Sequence, residues 1–154
     1  MLDGGALWGS HCYEKALYLD DLSDDVIAVV TEQLPRKSSP MSLLHFYSLE
    51  GAYADVADDT TAFGGSRSAR YAVMIVALTA DPGLLPAERE WVRTFWDALA
   101  PHRLGASGYV NGWAEFDEDR VRAVYGLKYD RLARIKTIYD PTNVFRANAN
   151  ILPA

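Results

Sequence analysis

The order of its periodic stretches constrains this chain more than any other feature. Residues 11–19 (HCYEKALYL) put Tyr13, Leu17 and Leu19 on one side together with Lys15, and Cys12, Ala16 and Tyr18 on the other. That period of two belongs to a β-strand. Ser23 followed by Asp24 and Asp25 reads as an N-cap with acidic residues in the first turn, leading a helix through Val26, Ile27, Val29 and Val30 to about Gln33. Pro35 to Pro40 ends it. Leu43–Leu49 and Tyr71–Thr79, rich in aromatic and β-branched residues, read as two more strands, and the polar stretch Gly51–Arg70 between them as a loop with one helical turn. Pro86 opens a second helix in which Val92, Phe95, Trp96 and Leu99 form an apolar stripe ending at Pro101, and Tyr109–Trp113 is a short strand.

Strand, helix, strand, strand, helix, strand is the split βαβ arrangement, so the expected class is α+β: a ferredoxin-like antiparallel sheet with helices on one face. Two C-terminal helices follow, at 117–125 and 128–139, then an extended tail. The second carries Tyr129, Leu132, Ile135 and Tyr139 on one face and stops at Asp140-Pro141. With 154 residues, 49% of them hydrophobic, and neither a repeat nor a linker, the chain holds one domain. A sheet covered on one side leaves its other face for a ligand or partner.

Several functions are disfavoured by composition and pattern. A net charge of -6 does not suit a general nucleic-acid binder, and Cys12, as the one cysteine, permits neither an intrachain disulfide nor a cysteine-based zinc site. No G-x-G-x-x-G follows a strand, no Walker lysine loop is present, and Gly64-Gly65-Ser66 precedes a strand rather than a helix. His11, His45 and His102 fall in different elements with no carboxylate at metal-ligand spacing, so no metal site is expected. Asp117-Glu118-Asp119 reads as a helix cap rather than a calcium loop, and no G-x-S-x-G elbow supports a hydrolase. The first residues lack a signal-peptide pattern and no run is long enough to span a membrane, so the expected location is cytoplasmic. Charge is uneven, with seven basic and two acidic residues between Arg120 and Arg146, as on a solvated helix surface or a docking face.

Tyrosines and amides crowd the C-terminal part: Tyr109-Val110-Asn111, Tyr125-Gly126, Tyr129 with Arg131-Leu132, Lys136, Tyr139-Asp140-Pro141, Asn143, Phe145-Arg146, Asn148 and Asn150-Ile151. That spacing, kept over about 45 residues, resembles the berberine-bridge-enzyme-like C-terminal segment of FAD-linked oxidases. Upstream, the strand with Tyr13 and Lys15, Gly51-Ala52, Thr61-Ala62-Phe63 with Arg67, and Trp91 resemble the substrate domain of bacterial members. The resemblance divides the single structural unit into a partial substrate-binding domain, 1–108, and a berberine-like segment, 109–154.

The resemblance implies an oxidoreductase whose FAD is carried by a separate domain with no counterpart here, making the chain a C-terminal fragment, half of a split enzyme or a truncated product. The implied reaction is loss of hydride from an alcohol or amine C–H to flavin while a base takes the O–H or N–H proton. By resemblance, Tyr109 is the active-site tyrosine, Asn111 an amide contacting flavin or substrate, and Asn148 and Asn150 positions that fold back toward FAD. A tyrosine base needs its anion stabilised, and Lys15 supplies the charge if its strand face points at the flavin. The chain departs from the pattern at Gly112, where many relatives carry a second tyrosine, at Lys128 in place of an asparagine, and at Glu14 in place of a tryptophan. The expected partners are a small-molecule substrate and either a separate FAD-binding chain or a second copy; Val144, Phe145, Ile151 and Leu152 are expected to form an exposed apolar patch. The competing readings are a binding or interaction module without flavin chemistry and a truncated remnant.

Overall fold

The computed structural model describes residues 8–105, 117–147 and 149–154. Strand β1 (His11–Leu19), helix α1 (Asp24–Gln33), strands β2 (Leu43–Ser48) and β3 (Tyr71–Thr79), and helices α2 (Leu85–Leu99), α3 (Glu118–Tyr125) and α4 (Tyr129–Tyr139) follow in that order. The strands form an antiparallel sheet ordered β1-β3-β2. The α+β class and the one-helical-turn loop, Gly51–Tyr53, are as the sequence predicts. The expected strand at Tyr109–Trp113 lies outside the described residues.

Register assigns the faces. Tyr13, Lys15 and Leu17 stand opposite Ala77, Ile75 and Val73, whereas Glu14, Ala16 and Tyr18 stand opposite Val76, Met74 and Ala72. The first set faces the helices. Leu17, Val73, Ile75 and Ala77 are buried there with Trp91, Val92, Phe95 and Leu99 of α2, and Val26 of α1 closes the cluster. Each large side chain so buried contributes about 1.5–3 kcal/mol. Ser23 caps α1, its Oγ accepting the Val26 amide at 3.4 Å, and the Trp91 indole donates to the Gln33 carbonyl at 2.9 Å, which fixes α1 against α2.

A second, smaller cluster holds the C-terminal part: Val121, Tyr129 and Ala133, with Tyr125, Ala149 and Ile151 packed against them. Asp117 caps α3 by accepting the Arg120 amide at 2.7 Å, and α3 ends at Gly126, whose φ of 50° suits glycine. The tail is tied back where the Leu152 amide donates to the Tyr129 hydroxyl at 3.1 Å. Two sequence expectations change here. Ile135 and Tyr139 are exposed rather than aligned with Tyr129 in the core, because the buried side of α4 runs through Tyr129 and Ala133, four residues apart. Of the expected apolar patch, Val144 and Phe145 are exposed, as are Ile138 and Tyr139 of α4, but Ile151 packs inward.

Candidate active-site face

The sheet face turned away from the helices carries a cavity of about 340 Å³. Its floor is Ala16 and Tyr18 from β1 with Ala72 and Met74 from β3; Tyr47 and Leu49 form one wall and Tyr53 and Phe63, from the loop before β3, another. Strand alternation makes this floor: Ala16 and Tyr18 are two apart, as are Ala72 and Met74, so all four point to one side. The short helical turn at Gly51–Tyr53 then brings Tyr53 against the loop that follows.

Hydrogen bonds and ring contacts lock that loop. The Tyr53 hydroxyl donates to the Ser66 carbonyl at 2.7 Å and is also hydrogen-bonded by Tyr18. Tyr53 and Phe63 meet edge to face with centroids 5.8 Å apart, and the Arg67 guanidinium lies 4.8 Å from each ring. Arg67 also donates to the Tyr53 carbonyl at 3.3 Å, while its own amide is held by Asp58 at 2.7 Å. Gly65 is required by close approach: a Cβ there would lie 2.3 Å from the Phe63 ring and 2.6 Å from the Tyr18 hydroxyl. Lys128, at the junction of α3 and α4, donates to the carbonyls of Asp58 at 2.9 Å and Phe63 at 2.7 Å. Lys128 therefore straps the cavity loop to the C-terminal helices.

The electrostatics favour neutral groups. Burial pushes the Tyr53 phenol up, against the opposing pull of the Arg67 cation and the Tyr18 hydrogen bond. Burial likewise raises the Glu14 carboxyl on the same face, and raises the Cys12 thiol with a further contribution from the Glu14 charge. Beside the cavity, His45, opposite Met74 in the sheet, is hydrogen-bonded through Nδ1 to the Oη of the wall residue Tyr47 at 3.2 Å, with their rings perpendicular. Among the described residues no three His, Cys, Asp or Glu side chains converge on a metal position, and no helix is long and apolar enough to cross a membrane.

The sequence-predicted site residues are not gathered at this cavity. Lys15 lies on the helix-covered face, its ammonium 4.0 Å from the Trp96 ring centroid, because strand alternation turns it away from Ala16. Asn150 lies in the tail between Ala149 and Ile151, with Oδ1 buried and unpartnered, and lines none of the three cavities described. Tyr109, Asn111, Gly112 and Asn148 lie outside the described residues. Sequence reasoning missed Tyr18, Tyr47, Tyr53 and Met74 as cavity residues. The alternation that separated Tyr18 from Lys15 contained the signal for the first of these.

Residues 108–152 match the family described as berberine and berberine like. The chain is 32% identical over 133 residues to an uncharacterized FAD-linked oxidoreductase of Bacillus subtilis, YgaK, covering 86% of this chain and 29% of that protein. It is 32% identical over 140 residues to the FAD-linked oxidoreductase iacH of Pestalotiopsis fici, covering 86% of this chain and 26% of that one. Berberine bridge enzyme from Eschscholzia californica shares the fold, with a TM-score of 0.79 at 19% identity over 94% of this chain and 33% of the enzyme. The chain thus spans about a third or less of the length of these relatives.

Proposed function

We propose that this chain is the substrate-domain portion of an FAD-dependent oxidoreductase that oxidises an alcohol or amine C–H, with its open sheet face turned toward the flavin. The observation that carries the reading is the aromatic-walled cavity on that face, in a chain whose curated relatives are FAD-linked oxidoreductases. Planar rings suit a wall built from Tyr18, Tyr53 and Phe63, so the residues present fit the ring system of FAD or a substrate stacked near it.

FAD, when bound, supplies the hydride acceptor. The chain's own contribution is positioning and desolvation. Tyr18, Tyr53, Phe63 and Met74 exclude water from the reacting C–H, and the Tyr47–His45 pair at the rim is placed to hold a proton from a substrate hydroxyl or amine. Tyr109 and Asn111 remain the family-based candidates for active-site tyrosine and amide.

The test mixes the purified chain with a separately expressed FAD-binding portion of the Bacillus relative and follows flavin absorbance while primary alcohols and amines are added without oxygen. Bleaching that needs both components, and is weakened by Tyr109→Phe, supports the proposal. A flavin spectrum that ignores the chain overturns it and favours a binding module without redox chemistry.

A further inference from the structure

The cavity on the open sheet face contains three tyrosines, yet its surface is almost entirely carbon, because the phenols are engaged elsewhere. Tyr53 has a single hydroxyl proton. The Ser66 carbonyl, at 2.7 Å, can only accept, so that proton is committed to it. The hydrogen bond between Tyr18 and Tyr53 must then run from Tyr18 as donor, which commits the second phenolic proton. The third phenol, Tyr47, is bonded to His45 at the rim, and Tyr47 is about half exposed, at 48%. Arg67 stacks on the Tyr53 and Phe63 rings without entering the lining. Neither Tyr18 nor Tyr53 therefore has a proton left to donate into the cavity, and the polar group at its half-exposed edge is Tyr47, bonded to His45, which stands opposite Met74 in the sheet just outside the lining.

We infer that this cavity takes a molecule built on an apolar planar ring, with one hydroxyl or amine substituent reaching the His45–Tyr47 rim, and that it rejects polyhydroxylated compounds such as sugars. A ring system of one or two fused rings suits about 340 Å³, near the lower end of small-molecule sites. Its faces stack on aromatic walls while a rim substituent finds a partner. A sugar presents hydroxyls around its whole edge, and those forced against Ala16, Ala72, Met74 and the ring faces lose water without gaining a partner. The inference deepens the functional proposal, on which it rests in taking the bound molecule to be the substrate.

The experiment titrates the full chain with naphthol and, separately, with glucose, by calorimetry and ligand-observed NMR. Saturable naphthol binding at one site, at least about tenfold tighter than any glucose binding, is expected. Ala72→Met fills the floor and Tyr47→Ala removes an exposed wall, so each weakens naphthol binding about tenfold while Phe145→Ser, on the C-terminal segment, leaves it unchanged. Circular dichroism verifies that each variant is folded, and the exposed Tyr47 position provides the reading if Ala72→Met is not. Glucose binding as tight as naphthol overturns the inference, as does naphthol binding that is absent, or that survives both cavity variants and falls with Phe145→Ser. No flavin signal enters this titration, so failed turnover with an FAD-binding portion would sink the functional proposal and leave the cavity's preference standing.

Discussion

Glu88 offers a sharp quantitative test of what holds the sheet to its helices. It is fully buried on α2, at 0% exposure, where Oε1 accepts the amides of Ser38 at 2.6 Å and Ser39 at 2.8 Å and Oε2 accepts the Ser42 hydroxyl. The carboxylate thus organises the turn that feeds β2. Glu88→Ala strands two amides, each costing about 1–3 kcal/mol, while Ser42 keeps its bonds to the Leu78 carbonyl and amide. With partial relief from water entering the vacated space, a loss of about 3–4 kcal/mol is expected. Glu88→Gln retains the oxygen that both amides use, and its new NH2 group meets Ser42 Oγ, which has a lone pair to accept it. That variant loses only the charge assistance, about 1 kcal/mol. Urea unfolding of the two variants and the parent, at equal slope, measures the difference. Equal losses for Ala and Gln, or a loss below about 1 kcal/mol for Ala, would refute the reasoning, because the stranded amides would then not be the main cost.

Three further outcomes follow from the same contacts. Asp140 is held below the ordinary aspartate value of 3.8, first by the Lys136 ammonium at 2.6 Å and then by the amides of Val144 and Phe145. Its stabilising contribution is therefore present above pH 3.8 and fades as pH falls below it, so the gap in melting temperature between the parent and Asp140→Asn should close on acidification. Burial and the Glu14 charge raise the Cys12 thiol, so iodoacetamide should label it more slowly than free cysteine at neutral pH and faster in Glu14→Gln; an unchanged rate in the variant would remove Glu14 as a cause. Lys15→Met, which keeps the stem but removes the cation over Trp96, should cost about 0.5–1 kcal/mol in urea unfolding, and a larger loss would assign Lys15 more than this contact.

Much of the fold was legible because the two periodicities are clean. Residues 11–19 and 71–79 become β1 and β3, and the N-caps at Ser23 and Asp117, each followed by acidic first-turn residues, open α1 and α3 as their chemistry requires. Side-chain roles were harder where tertiary partners decide them. Glu88 occupies a core position on α2 that no apolar stripe would reveal, since only the Ser38–Ser42 turn, about fifty residues away in sequence, makes its burial tolerable. Tyr139 has the spacing of a core residue yet is 81% exposed, because α4 is covered along its Tyr129–Ala133 line. The cavity itself depends on a loop folding over the sheet, and residues 51–70 show no periodicity that would announce it. Family resemblance pointed to Lys15, which alternation places on the far side of β1.

The two bonds from Lys128 have a dynamic consequence. Its ammonium holds the carbonyls of Asp58 and Phe63, so the aromatic wall of the cavity swings outward only if that lysine lets go or the α3–α4 corner moves with it. A guest that tightens the wall should therefore slow amide exchange at the start of α4, in a segment that lies outside the pocket's own lining. The C-terminal helices would then report on occupancy of a cavity to which they contribute no side chain.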